Sequence, residues 1–295
     1  MIIVSDQPGQ LGNQLWAFSN MIAIAKYHRS GIIIILQKGY YRVLDRVAIK
    51  EAGAFGIYLI SSDTLRAKLI RKGFLYLTSL DKKCKLLLNF LPFFIYNDRQ
   101  NNFDFLRKSF SKIFFIKSWN QREHKSCFIE NSTFIRELIK PAIEIKDIVA
   151  STFSNIREQY QNSIIIAVHI RRGDYREFYN GRYYFEDSVY ISYMQELQKL
   201  FGKTSLLFYL FSNENICLSN YNGLNIFFKK DQSAISDMWA MSKCNYIIGP
   251  PSTFSMWASF WNKSPLYFIQ DAVKTLSLDN FKTVIAQDIF EGHQL

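Results

Sequence analysis

An α/β fold in two halves is expected from three features of this chain. Short apolar runs rich in Ile, Val and Phe recur at Ile2–Val4, Ile32–Leu36, Ile164–Ile170, Ser205–Phe211 and Tyr246–Ile248. Segments of helical periodicity separate them, which is the alternation that builds parallel sheets. Polar or glycine-containing turns follow several of the runs, at the strand ends where open α/β sheets bind ligands.

The first run is followed by the turn Ser5–Gly12, and Leu15, Phe18, Ile22 and Ala25 then recur at helical spacing. A helix is therefore expected from about Asn13, with Ile32–Leu36 as the next buried strand. From Lys50 to Ser126 the pattern is irregular, with mixed helical segments and no repeat. A helix is expected over Lys146–Gln161, then strand Ile164–Ile170, helix Ser188–Leu200 and strands Ser205–Phe211 and Asn225–Phe228. Helix Ser233–Met241, strand Tyr246–Ile248, helix Ser255–Asn262 and strand Pro265–Ile269 complete the series. The expected domains are 1–155 and 156–295.

The 295 residues are 48% hydrophobic and 16% aromatic, enough for a packed core and too apolar for disorder. Net charge is +11, and between Asp63 and Lys125 fourteen Lys/Arg face five acids. Such a surplus attracts anionic lipid or nucleic acid, although a Lys-rich composition yields it without purpose. Cys84, Cys127, Cys217 and Cys244 are scattered, with no C-x-x-C pair, which disfavours a zinc site or a disulfide scaffold and fits a reducing cytosol. The start MIIVSDQPG lacks the basic flank and apolar length of a signal peptide. The longest apolar run, Leu86–Ile95, is broken by Asn89 and Pro92 and is too short to span a bilayer.

Four constellations carry chemistry. Gly9–Gln14 (GQLGNQ) follows the first strand; Gly12 permits close backbone approach, and Asn13 and Gln14 place amides at a helix start. His169-Ile170-Arg171-Arg172-Gly173-Asp174 ends the strand Ile164–Ile170. Alternation puts His169 and Arg171 on one face and Arg172 on the other. A guanidinium pair there suits a phosphate, unless it is simply solvated and paired with Asp174. Ser212 and Asn213 follow the strand Ser205–Phe211. Ser252, Thr253 and Ser255, after Gly249-Pro250-Pro251, offer hydroxyls and helix-start N–H groups, or an ordinary N-cap. Asp237, early in its helix, is either a dipole-stabilising acid or a ribose or base ligand.

Together, GQLGNQ, HIRRGDY, FSN and DMWAMSKCNYIIGPPSTFSMWASF resemble the α-1,2-fucosyltransferases of glycosyltransferase family 11, in the same order along the chain. The resemblance implies a GT-B-like architecture, two Rossmann-like domains facing a cleft, with the acceptor on the first and the GDP-sugar on the second. It implies inverting transfer of L-fucose from GDP-fucose to a galactoside, in surface glycan or O-antigen synthesis. By the same resemblance Arg171 meets the pyrophosphate, with Arg172 assisting or bracing the loop through Asp174. Ser252, Thr253 and Ser255 complete the phosphate cradle. Asp237, Ser212 and Asn213 hold guanosine, and Gly12, Asn13 and Gln14 line the cleft. His169, Asp174, Glu177, Glu186 and Asp187 are candidate bases, and the Tyr-rich stretch Tyr175–Tyr193 is a candidate for stacking an acceptor sugar. None of the fourteen aspartates forms a D-x-D pair, so no cofactor or metal is expected and arginine must stabilise the leaving diphosphate. The expected partners are GDP-fucose, a galactose-containing glycan acceptor, free or lipid-linked, in the cytoplasm, and a weakly attracting anionic membrane surface. The alternatives are another GDP-sugar transferase, an inactive sugar-binding relative, or a basic nucleic-acid-binding protein, though no nucleic-acid motif is present.

Overall fold

Isoleucine-rich strands form the centre of each half, because β-branched side chains pack well on a pleat that is covered on both faces. The computed structural model describes residues 1–83, 93–96, 103, 113–118, 125–230, 232–272 and 276–286. The chain divides into two units, Met1–Ile143 and Glu144–Leu295.

The first unit runs β1 (Ile2–Val4), α1 (Leu11–Tyr27), β2 (Ile32–Leu36), α2 (Lys38–Arg42), α3 (Arg46–Ala52), β3 (Ile57–Ser61) and α4 (Leu65–Lys83). It continues with β4 (Phe93–Tyr96), β5 (Ile113–Ile116), α5 (Lys125–Glu130) and α6 (Ser132–Leu138). Its parallel sheet has the order β3-β2-β1-β5-β4. Helix α1 begins at Leu11, two residues before the expected Asn13, with Gln10 as N-cap. It is buried nearly all round, and Trp16 packs on Phe128 of α5 at 5.4 Å between ring centroids. The irregular stretch Lys50–Ser126 in fact contributes three strands of this sheet, β3, β4 and β5. Much of the basic region between Asp63 and Lys125, including 84–92, 104–112 and 119–124, lies outside the described residues.

The second unit runs α7 (Ile143–Gln159, starting at the boundary), β6 (Ile164–Ile170), α8 (Asp187–Phe201), β7 (Leu206–Ser212) and β8 (Ile226–Phe228). Helix α9 (Ala234–Ser242), β9 (Tyr246–Gly249), α10 (Thr253–Asn262) and β10 (Leu266–Phe268) follow. The expected break at 155/156 falls inside α7; the continuous helix goes with the second unit, so the boundary lies at 143/144.

The second sheet is parallel, with the order β10-β9-β6-β7-β8. From β6 the chain winds outward through β7 and β8, then returns to place β9 on the other side of β6. That reversal is the topological switch point, where crossover loops diverge and leave room at the strand C-termini. One sheet face, with Ile166, Val168, Ile170, Phe208 and Leu210, packs with Tyr190, Met194 and Leu197 of α8. The alternate residues face the other way, where Tyr209 meets Phe153 of α7 at 6.2 Å. Each unit is thus Rossmann-like, and the fold is of the GT-B type. Among the described residues no helix is long and apolar enough to cross a membrane.

Candidate functional site

The C-terminal ends of β6 and β9 flank the second switch point and carry its chemistry. The two strands approach closely: a Cβ on Gly249 would lie 2.6 Å from the His169 carbonyl oxygen and 2.8 Å from its Cβ. Only glycine fits there.

Past Ile170 the alternation of β6 persists and separates the two arginines. Arg171 stays on the His169 side, where its Nη2 reaches both Asp174 carboxylate oxygens, at 2.8 and 2.9 Å. Its guanidinium also lies 5.4 Å from the centre of the Tyr175 ring. Arg172 turns to the α8 side, pairing with Asp187 and donating from Nε to the Phe185 carbonyl at 3.3 Å. The expected Arg172–Asp174 brace is therefore corrected: Asp174 belongs to Arg171, and Arg172 is held by Asp187. The reason is the strand alternation, which commits the Arg172 guanidinium to Asp187 on the α8 side, while the turn at Gly173 (φ +63°) leaves Asp174 within reach of Arg171.

Asp187 also accepts from Asn220 Nδ2 at 2.6 Å and from the Tyr221 hydroxyl at 2.7 Å. Burial pushes its carboxyl pKa upward, but the bonds from Asn220, Tyr221 and Arg172 outweigh burial and hold it below its ordinary value. A carboxylate so occupied is a poor base, and Asp187 serves as an anchor. The Asn213 side chain, expected at guanosine, instead accepts from Arg172 N–H at 2.9 Å and donates to its carbonyl at 3.2 Å. Ser212 accepts from the Glu214 N–H at 3.1 Å.

Across the switch point, Tyr175 donates its hydroxyl to the Pro251 carbonyl at 2.6 Å, tying the β6 loop to the β9 loop. Burial raises that phenol to about 12. Ser252 is the N-cap of α10 and accepts from Phe254 N–H at 3.2 Å. Thr253 is buried in the first turn. Ser255, expected in a phosphate cradle, is fully buried and donates to the Ser252 carbonyl at 3.1 Å, so its hydroxyl braces the turn.

His169 is buried under Phe254, with ring centroids 5.3 Å apart. Burial, and then the charge of Arg171, lowers its pKa to about 3. It is neutral at physiological pH and too weak a base for the catalytic role expected of it. Asp237 sits in the first turn of α9, half-buried, and burial raises its carboxyl to about 7.

Gly12, Asn13 and Gln14 belong to the first unit, in the first turn of α1 after β1. Gly9 has φ +56°, and a Cβ there would meet Asn13 Nδ2 at 2.4 Å. Gln14 is buried and donates from Nε2 to the Gly9 carbonyl at 3.1 Å, holding this turn closed. Nearby, Asp6 accepts from both the N–H and the hydroxyl of Ser118, at 3.0 and 2.9 Å. That pair bridges the ends of β1 and β5, the switch point of the first sheet.

The structure thus groups His169, Arg171, Arg172, Asp174, Asn213, Ser252, Thr253 and Ser255 around one strand-end crossing. Sequence reasoning does not reach Tyr175, Asn220 and Tyr221 as parts of this framework, because their partners lie 33 to 76 residues away. The one hint is the tyrosine closing HIRRGDY.

A family model described as glycosyl transferase family 11 matches residues 75–292. No curated protein sequence matches the chain. Among solved structures the chain is similar to fucosyltransferase NodZ from Bradyrhizobium (TM-score 0.52, 16% identity, 88% of this chain and 91% of that one). It is similar to NodZ alpha-1,6-fucosyltransferase co-crystallized with GDP (TM-score 0.52, 15% identity, 87% and 91%). It is also similar to POFUT1 in complex with GDP-fucose (TM-score 0.52, 11% identity, 90% and 96%). At such identities the likeness establishes the fold. The family match runs from about the middle of one unit through nearly all of the other, well over half of the chain, and on that ground the protein belongs to glycosyl transferase family 11.

Proposed function

We propose that the protein transfers L-fucose from GDP-fucose to a hydroxyl of a galactose-containing glycan, forming an α-1,2 linkage with inversion. The observation that carries this reading is Arg171, a cation at the switch point of the second sheet in a family 11 chain. The acceptor oxygen attacks C1 of fucose, the bond from C1 to the β-phosphate oxygen breaks, and its electron pair leaves on GDP. Charge develops on the diphosphate, and Arg171 stabilises it in place of a divalent cation. No cofactor or metal enters this scheme. The second unit is the donor side and the first the acceptor side.

Asp174 answers the charge of Arg171 when no donor is bound. A diphosphate that takes over the guanidinium releases this exposed carboxylate to accept the acceptor's proton. Asp237 receives N–H groups of the guanine or hydroxyls of the ribose, its raised pKa falling as they bind. Arg172 contributes by rigidity, and the N–H groups of the α10 first turn at Ser252 and Thr253 add a positive end to the site.

The surface-glycan role and a lipid-linked acceptor rest on a further observation. Helix α4 exposes Leu65 and Leu69 beside Arg66, Lys68 and Lys72, a combination that favours an anionic lipid surface.

The test is calorimetric titration of GDP and GDP-fucose in EDTA, with wild type and Arg171→Ala. Binding by wild type that is lost in Arg171→Ala is expected, with NMR of the product showing the α-1,2 linkage. Absence of binding by wild type would overturn the donor reading. Another linkage in the product, or another sugar nucleotide preferred, would overturn the finer specificity alone.

A further inference from the structure

Between Arg171 and α8 the chain builds a series of aromatic rings that the donor chemistry does not use. Tyr175, over which Arg171 lies, packs on Phe178 with centroids 5.0 Å apart. Phe178 meets Tyr179 edge to face at 4.6 Å, and Tyr179 meets Tyr183 edge to face at 6.1 Å. The series is rooted where Tyr175 is tied to Pro251, and it comes out to solvent at Tyr179, 57% exposed.

The backbone at that outer end is unusual. Tyr179 (φ 47°, ψ 43°) and Asn180 (φ 56°, ψ 37°) are both left-handed, and Gly181 follows at φ +75°. Asparagine and glycine tolerate this region, whereas a bulky aromatic residue adopts it at a steric cost. The ring gains little burial in return. The turn is nevertheless well fastened: Asn180 N–H donates to Glu177 O at 3.1 Å, Arg182 N–H to Tyr179 O at 3.2 Å, and Tyr184 N–H to Gly181 O at 3.0 Å. A Cβ on Gly181 would stand 3.1 Å from the Arg176 carbonyl oxygen, so the turn has little room to relax. Strain held in place to present an exposed ring beside a reactive site is a sign of function.

We propose that Tyr179 is the platform on which the acceptor's sugar ring stacks, an assignment that rests on the transferase reading above. A β-galactoside has one apolar face, carrying the hydrogens of C3, C4 and C5. An aromatic ring presents a negative face that attracts such C–H groups. Rings already held by their neighbours lose little freedom on binding, and stacking leaves the sugar hydroxyls free for attack. The platform is in the second unit, on the loop that carries Arg171, so it places the acceptor against the donor's own domain in addition to whatever the first unit supplies.

Three variants test this, Tyr179→Ala, Tyr179→Phe and Tyr179→Gly, with methyl β-galactoside and lactose as probes. Saturation-transfer NMR should show the C3–C5 hydrogens receiving magnetisation from aromatic protons of wild type, and this should vanish in Tyr179→Ala. The acceptor KM should rise about tenfold in Tyr179→Ala, with kcat changed much less, and GDP affinity should stay at the wild-type value. Tyr179→Phe should retain the wild-type KM, because the ring and not the hydroxyl carries the contact. Tyr179→Gly should melt no lower than wild type, through relief of the left-handed strain, while using acceptor as poorly as Tyr179→Ala. An unchanged KM in Tyr179→Ala, or a Tyr179→Phe variant as impaired as Tyr179→Ala, overturns the platform. A wild type that binds no GDP refutes the donor reading instead, and the sugar NMR, recorded without nucleotide, still decides whether Tyr179 holds the ring.

Discussion

Asn213 holds Arg172 by the backbone, its side-chain amide accepting from the arginine N–H at 2.9 Å and donating to its carbonyl at 3.2 Å. Two residues before Arg172, Ile170 is still paired with Ser212, the neighbour of Asn213, in the sheet. The amide thus continues the β6–β7 ladder by one further rung after the strands have ended. Gly173 completes the fit, since a Cβ on it would lie 3.0 Å from Asn213 Nδ2. Asn213→Ala should leave the fold intact, because both freed groups reach water, at a cost of about 1 kcal/mol. GDP affinity should fall by up to about tenfold as the Arg171–Arg172 turn loosens. Calorimetry together with denaturant unfolding separates the two effects, and wild-type GDP affinity in this variant would show that the clamp is dispensable.

Asp187 should matter more for stability. Its removal leaves the Arg172 guanidinium, only 11% exposed, without its carboxylate. Asp187→Ala should cost about 3 kcal/mol in urea unfolding, the usual scale for orphaning one partner of a largely buried pair. The folded pKa of Asp187 lies below its unfolded value, so its contribution is complete above that unfolded value, near pH 4, and is lost as pH falls through the folded one. Wild type should therefore lose stability on acidification below about pH 4 more steeply than Asp187→Asn.

Asp237 has the opposite sign. Its folded pKa, about 7, lies above the unfolded one, so burial of the charge weakens the fold progressively as pH rises from about 4 to 7. Asp237→Asn should raise Tm at pH 8 and leave it nearly unchanged at pH 4. GDP affinity of wild type should increase as pH rises through about 7, and Asp237→Asn should remove that dependence. A wild-type affinity flat between pH 6 and 8 would show that the carboxylate does not meet the nucleotide.

Asp174→Asn separates charge from proton transfer. Arg171 loses its competing partner, so GDP should bind as well as or better than in wild type, while kcat falls by about 10²-fold or more. Turnover near wild type would remove Asp174 as the base and turn attention to Glu177 and Glu186. Turnover in excess EDTA should match that without it, and strict dependence on an added divalent ion would contradict the role given to Arg171.

Leu65→Ser with Leu69→Ser should weaken sedimentation with vesicles containing phosphatidylglycerol, and raised salt should weaken wild-type binding too. Equal binding to neutral vesicles would exclude the electrostatic part of the attraction.

The second unit was largely legible in the sequence because its strands are continuous apolar runs bounded by polar turns. Strands β6 and β7 lie within a residue of expectation, and the alternation along β6 does send Arg171 and Arg172 to opposite faces. In the first unit, β3, β4 and β5 are short, and β5 pairs with β1 across more than a hundred residues. Local pattern carries no trace of such a pairing. The same limit hides the framework of the site. That Asn213 reaches the Arg172 backbone depends on the β6–β7 register, and that Ser255 turns inward depends on the α10 cap. Both follow from tertiary placement, not residue type.

The tie from Tyr175 to Pro251 has a consequence for how such an enzyme diversifies. With the arginine turn fastened through Asn213, Asp187 and Pro251 to the second sheet, the segment from Phe178 to Tyr184 hangs from an anchored stem. On the reading proposed above, substitutions in that segment can change which glycan is accepted while the residues assigned to the nucleotide stay in register. Descendants with altered tastes in sugar should then differ first in this short aromatic stretch and last in the residues that pin its root.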